Sequence, residues 1–280
     1  MLIGYVSDER YVALPDTLLE FVNEQGSVAT RSRASGAVYA DLLPGPYEVI
    51  LARDGYGAKR VRMNVTEGRP YQFRLLADGL LGYAWPRCVQ AGERAEFRIH
   101  SDRAYKLELF RYGIDKEFIQ TIGWYDEHGP RATVQMTPDG DYTQTGVQWN
   151  RFGYANPAHK QYQTAPTRSG LYYFHASTAD GGFFSFPWIV APAQPTAPIA
   201  VLANDMVWNA YNNFGGRSNY IHPDRFPPTP TVNARLELNR YTNPDHINYE
   251  TEDYAPLSFD RPEPINHIPL QVQATDPIEG

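Results

Sequence analysis

Cysteine is almost missing from this chain. Cys88 is the single one in 280 residues, so no disulfide can form within it, a usage that fits a reducing compartment. Clusters of lysine or arginine are missing as well, and the net charge is −7. Neutralising phosphates needs a basic face, so nucleic acid is excluded as a partner. Long apolar runs are absent too. The most apolar stretch, residues 183–193, is interrupted by Pro187 and Pro192 and falls far short of the ~20 residues a spanning helix needs. Met1-Leu2-Ile3 leads at once into Gly4 and then Asp8-Glu9-Arg10, without the basic segment and apolar stretch of a sorting signal. Together these absences give the expectation of a cytoplasmic protein with no membrane partner.

Stretches rich in Ala, Leu, Glu and Lys are also scarce, whereas Tyr (20) and Pro (23) are plentiful. That balance favours strands and ordered loops over helices. Hydrophobic residues make up 42% and charged residues 20%, near the globular mean, so a packed core is expected.

Three regions follow from the patterning. In residues 1–78, Val61, Met63 and Val65 alternate with Arg60, Arg62 and Asn64, the two-residue period of a half-buried strand. Turn signals recur at Asn23-Glu24-Gln25-Gly26, Pro44-Gly45-Pro46 and Asp54-Gly55, giving the short spacing of a sandwich or barrel. Residues 36–49 resemble the regulatory-like β-sandwich attached to carboxypeptidases. In residues 79–194 the alternation returns, with Phe97 and Ile99 inward. Two final strands flank Gly181-Gly182, which suits an immunoglobulin-like sandwich. Residues 123–168 form a long Gly-, Pro- and Tyr-rich insertion of the kind that is functional or packs on a neighbour. After a Pro-rich linker, residues 199–203 are continuously apolar, as a buried parallel strand is. No comparable run follows. The fold expected is therefore mainly β, with two consecutive sandwich modules (1–78 and 79–194). The first strand and loops of an incomplete α/β domain, truncated at 195–280, follow them. Its missing partner strands would lie beyond residue 280 or on another chain, so self- or hetero-association is expected around residues 199–202.

The densest polar and aromatic cluster comes directly after that run: Trp208-Asn209-Ala210-Tyr211-Asn212-Asn213-Phe214-Gly215-Gly216-Arg217-Ser218-Asn219-Tyr220. Ligands bind at this position in open α/β sheets. Amides and phenols offer donors and acceptors, and glycines let backbone approach a ligand. An ordered loop whose polar groups satisfy one another is the plainer alternative.

This loop, the preceding strand and Leu257-Ser258-Phe259-Asp260-Arg261-Pro262 resemble the N,N-dimethylformamidase large (β) subunit family over residues 79–280. The resemblance implies hydrolysis of a small neutral amide at a mononuclear iron held by two tyrosines and one carboxylate. Phenolate and carboxylate oxygens suit such a hard cation, which polarises a carbonyl and acidifies bound water. It matches Tyr211 to the first tyrosine, with Tyr220 as the alternative. It leaves Trp208, Asn209, Asn212, Arg217 and Tyr220 to bind substrate. The family's carboxylate lies in a later His-x-Glu-Tyr-Trp-type motif that this sequence lacks. Where a tyrosine follows Arg-Pro in the family, this chain has Glu263, itself capable of binding a metal. No catalytic residue is assigned. The competing function is a non-catalytic binding or assembly protein that presents aromatic residues to a carbohydrate or a protein.

Weaker signals have plainer readings. Gly216-Arg217-Ser218-Asn219-Tyr220 lacks the final glycine of a nucleophile elbow. Asp139-Gly140-Asp141 lacks the later glycine and glutamate of a calcium loop and reads as a turn. The seven histidines show no metal-ligand spacing. Cys88 reads as buried and inert. Trp124, Tyr125, Tyr142 and Trp149 read as packing against the third region, or as lining a sugar- or cation-binding surface.

Overall fold

The computed structural model describes residues 1–126, 137–149, 161–232 and 251–267. The chain divides into two units, and each is interrupted in sequence. The first comprises Met1–Asp78, Thr133–Val147 and Asn213–Leu257; the second comprises Gly79–Ala132, Gln148–Asn212 and Ser258–Gly280. Residues 195–280 are thus shared between the two units.

In the first unit, β1 (Leu2–Ser7), β4 (Ala37–Tyr39) and β7 (Tyr71–Arg74) form one sheet in the order β4-β1-β7. A second sheet, ordered β3-β2-β5-β6, contains β2 (Leu18–Asn23), β3 (Gly26–Arg31), β5 (Gly45–Arg53) and β6 (Gly57–Val65). Alternation is the cause of the layering. Val61, Met63 and Val65 are buried, and Arg60, Arg62 and Asn64 face solvent. Those inward residues join Val6, Phe21, Val49, Leu51 and Phe73 in one core, each large side chain contributing about 1.5–3 kcal/mol by leaving water. The hairpin register, Arg53 opposite Gly57, is set by the turn at Asp54-Gly55, where Gly55 supplies a φ of +77°.

The turn after β1 carries two adjacent acids. Asp8 Oδ1 accepts from the backbone N–H groups of Arg10 (2.8 Å) and Val12 (2.9 Å), and Glu9 accepts from that of Ala77 (3.2 Å). Burial pushes both carboxyls above the usual carboxylate range, and the Asp8 charge raises Glu9 further. In the fold they hold protons more tightly than in the unfolded chain. Their contribution is therefore fully present below the ordinary carboxylate pKa and is lost as pH rises through the raised values. Glu9→Gln is expected to raise the thermal midpoint at pH 7, and that gain should vanish as the pH falls below the ordinary glutamate range. A pH series of melting curves for the two proteins measures it; equal midpoints throughout would remove Glu9 as a source of strain.

In the second unit, β8 (Leu80–Trp85), β10 (Arg94–Ser101) and β13 (Tyr162–Thr164) form a sheet ordered β13-β10-β8. Opposite it lies a five-stranded sheet, β12-β11-β14-β15-β9. Its members are β9 (Cys88–Gln90), β11 (Tyr105–Tyr112), β12 (Lys116–Tyr125), β14 (Gly170–Thr178) and β15 (Phe183–Ala191). Phe97, Ile99, Leu107, Leu109, Phe174, Phe186 and Trp188 fill the space between. The Tyr172 hydroxyl donates to Arg168 O at 2.6 Å, tying β14 to the segment that leads into it.

Two expectations are corrected here. Residues 199–203 form no strand, and Ile199, Val201 and Leu202 are 79%, 95% and 92% exposed. A parallel strand exists only beside a neighbour that completes its hydrogen bonds, and none pairs with this run among the described residues. Cys88 is exposed and not buried. Alternation along the three-residue β9 turns Val89 into the core and its neighbours outward. Partial burial, followed by the charges of Asp205 and Glu93, pushes its thiol pKa up, which keeps it a poor nucleophile.

Candidate functional site

The polar loop at 208–220 belongs to both units, with the boundary between Asn212 and Asn213. In the second unit its first half is a short helix, α1 (Asp205–Tyr211). Asn204 caps it by accepting from Val207 N at 3.4 Å, and Asp205 sits in the first turn, where an acid suits the exposed N–H groups. Asn212 ends it, its N–H reaching Trp208 O (3.1 Å) and Asn209 O (3.2 Å).

Short helices need outside support, and here it comes from 258–263. The Arg261 guanidinium is fully buried; Nε donates to Ser258 O (2.9 Å) and Nη2 to Asn209 Oδ1 (3.1 Å). Asn212 Nδ2 donates to Pro262 O at 2.8 Å. Glu263 is buried, its carboxylate 2.6 Å from Arg87 Nη2 and accepting from Asn266 Nδ2 at 2.8 Å. Burial pushes its carboxyl pKa up, against the pull of Arg87 and Asn266. Asn209 and Asn212 are thus engaged by this scaffold. Trp208 is half-buried, and Tyr211, at the last helical position, is 47% exposed.

Beneath Arg261 the anchoring continues onto β10. Glu96, Arg98 and His100 share one face of this strand, opposite Phe97 and Ile99, and all three are buried. Arg98 Nη1 lies 2.5 Å from Asp260 Oδ1, which also accepts from the Tyr83 hydroxyl. Burial and then the Asp260 charge raise the Tyr83 pKa, so the phenol stays a neutral donor. Trp149 closes over His100 and Tyr83, with ring centroids 5.8 and 5.6 Å away.

In the first unit the second half of the loop is fastened as firmly. Gly215 and Gly216 have φ of +97° and +95°. A Cβ on them would lie 2.5 Å from Thr143 Cγ2 and 2.4 Å from Tyr11 Cβ, so these glycines let the chain approach its own core. Arg217 is fully buried, with Nε 2.7 Å from Asp141 Oδ2 and Nη1 donating to Pro223 O at 3.0 Å. Ser218 Oγ accepts from the N–H groups of Tyr220 (3.1 Å) and Ile221 (3.0 Å), a turn-forming role. Tyr220 is exposed.

Sequence reading missed the groups that hold this half. Asp139 accepts from Lys59 Nζ (2.6 Å), Arg74 N (2.7 Å) and the Tyr71 hydroxyl (3.2 Å). Arg74, fully buried, donates to the carbonyls of Asp8 (2.7 Å), Gly140 (3.0 Å) and Gly215 (3.0 Å). Its guanidinium lies among the rings of Tyr142, Tyr11 and Phe226 at 4.8, 5.2 and 5.3 Å. The Asp139-Gly140-Asp141 spacing was the available signal, and its acids bind arginine and lysine. Tyr142 packs on Phe214, whereas Trp124 is exposed. Among the described residues no group of three or more His, Cys, Asp or Glu side chains is placed to hold a metal. No helix among them is long and apolar enough to cross a membrane.

These features define a mainly β protein whose candidate loop is pinned by buried arginines. The family model for N,N-dimethylformamidase beta subunit-like proteins, C-terminal, matches residues 112–274, more than half of the chain. The chain belongs to that family. No curated protein matches it. Solved structures similar to it include the Bacillus anthracis TIE protein, at 14% identity and a TM-score of 0.24, covering 68% of this chain and 32% of that one. A candidate carbohydrate binding protein from Bacteroides uniformis matches at 12% identity and 0.25, covering 65% of this chain and 87% of that one. A DUF3823 family protein from Bacteroides ovatus matches at 9% and 0.23, covering 66% and 98%. The chain therefore spans about a third of the length of the TIE protein.

Proposed function

We propose that this chain is the scaffold-bearing part of a dimethylformamidase-like hydrolase of the amide C–N bond, and that Tyr211 forms one wall of its metal site. Family membership carries the reading, because the matched residues 112–274 include α1 and the Arg261-Pro262-Glu263 segment beneath it. An exposed phenol at the end of a braced helix fits a ligand of a hard ferric ion. Glu263 does not fit one as placed: its carboxylate is committed to Arg87 and Asn266, and a cation there would face a guanidinium. Glu263 is better read as an anchor for α1. The described donors thus leave the centre incomplete. What this chain contributes is the position of the Tyr211 phenol. The remaining ligands would come from elsewhere on the polypeptide or from an associated chain, in a cytoplasmic setting that suits its single thiol.

Protein purified from its native source with its associated chains is the material for the test. Dimethylamine release from dimethylformamide and the visible tyrosinate-to-iron absorption are the two readouts. Tyr211→Phe is expected to weaken and shift the absorption band, because one of two tyrosinates is lost, and to lower turnover by about a hundredfold or more. A variant that keeps both would remove Tyr211 from the site.

A further inference from the structure

The outward face of the five-stranded sheet has no part in the site above. Register places Phe118, Phe110 and Tyr173 in one row across β12, β11 and β14, with Phe110 opposite both others. Phe110 meets Phe118 edge-on at 5.5 Å and stacks on Tyr173 at 5.2 Å with an interplanar angle of 9°. Tyr112 packs against Tyr173 from the next row. One row further along, Glu108 stands between Thr121 and His175. Its carboxylate accepts from the Thr121 hydroxyl at 3.3 Å and lies 2.5 Å from Lys106 Nζ. Beyond them Trp124 pairs with Lys106. Phe118 and Trp124 are 54% and 69% exposed, and their partners Phe110 and Lys106 stand four positions apart on β11, roughly 13 Å along the sheet.

We infer that this face binds a linear polysaccharide. Its alternation decides the class of ligand. An aromatic row, a polar row and a further indole call for a partner that is apolar on its flat faces and hydroxylated around its edges, as a chain of pyranose rings is. Ring C–H groups stack on Phe118, Phe110 and Trp124, while hydroxyls reach Lys106, Glu108 and Thr121. A wholly apolar partner would strip water from the Lys106–Glu108 pair without replacing it. Burial pushes His175 below its ordinary pKa, ahead of the opposing pull of Glu108. The neutral ring offers one donor and one acceptor to a hydroxyl. A second copy of this chain adding to the β12 edge is disfavoured, since β12 is irregular at two points of its register and bulges spoil edge pairing.

Native affinity electrophoresis of the full chain through gels containing hydroxyethylcellulose, xylan, galactomannan or soluble starch tests the inference, with Trp124→Ala, Phe118→Ala and the distant Tyr162→Ala as variants. The expected result is retardation by at least one polysaccharide. That binding should weaken about tenfold in Trp124→Ala and in Phe118→Ala, the scale of losing one stacked ring, and should not change in Tyr162→Ala. No retardation in any gel, or retardation equal in all variants, overturns the inference. Self-association in sedimentation runs that Trp124→Ala abolishes, without retardation, overturns it in favour of a contact between copies. Each of these outcomes is independent of whether Tyr211 binds iron.

Discussion

An Arg74→Ala variant is expected to lose about 4 kcal/mol of folding stability, with most of it unrecovered in Arg74→Lys. The removed guanidinium leaves the carbonyls of Asp8, Gly140 and Gly215 without their buried donor, at about 1 kcal/mol or more for each. Its contacts with Tyr142, Tyr11 and Phe226 disappear as well, and desolvated contacts of that type are worth up to about 2 kcal/mol. Lysine keeps the charge, but its single ammonium cannot serve three carbonyls that diverge around a planar fork. Urea unfolding followed by far-ultraviolet circular dichroism measures both. A loss under about 1 kcal/mol for Arg74→Ala would show that water or neighbouring donors replace the guanidinium.

Removing the Asp260 carboxylate should cost about 3–5 kcal/mol, the usual penalty for leaving a buried charge without its partner. In Asp260→Ala, Arg98 keeps as its carboxylate partner Glu96, 3.6 Å away, and a long bond to the Tyr83 hydroxyl at 3.4 Å, while that hydroxyl loses its own acceptor. Asp260→Asn retains an oxygen for both donors and should recover about half of the loss. Because Arg261 follows directly in the chain and reaches Asn209, the same variants should loosen α1. Hydrogen exchange at Trp208 and Asn209 should quicken by more than the change in global stability alone explains. Equal stability of Asp260→Ala and the parent protein would mean that Arg98 is held by something other than this pair.

The strands were legible in the sequence because alternation is local. Val61, Met63 and Val65 declare their face whatever lies opposite them, and Phe97 and Ile99 do the same. The run at 199–203 was read as a strand because composition shows what a segment can bury; the lack of a neighbour strand was legible too, and without one the run stays exposed and forms no strand. Loop chemistry was legible only as residue types. Asn209, Asn212 and Arg217 look alike as ligand binders or as braces, and the difference lies in hydrogen-bond partners at Arg261, Pro262 and Asp141 that no spacing rule connects to them. The Gly215-Gly216 pair was read as room for a ligand, whereas the space is filled by Thr143 and Tyr11. The row of Phe118, Phe110 and Tyr173 was invisible for the same reason: register, which sequence does not print, creates it.

The bonds of Arg74 also bear on the order in which this polypeptide can mature during synthesis. Two of its carbonyl partners lie 66 and 141 residues downstream. A nascent chain that has emerged as far as β7 holds every strand of its first two sheets, yet of the three carbonyls that receive the Arg74 cation it carries only that of Asp8. Strand pairing can begin early, but final closure waits until Gly215 leaves the ribosome, by which time β8 to β15 have emerged. The sandwich of residues 1–78 is therefore begun before β8 to β15 and finished after them. A gene fragment cut after Asp78 would encode its sheets without the clasp that locks them.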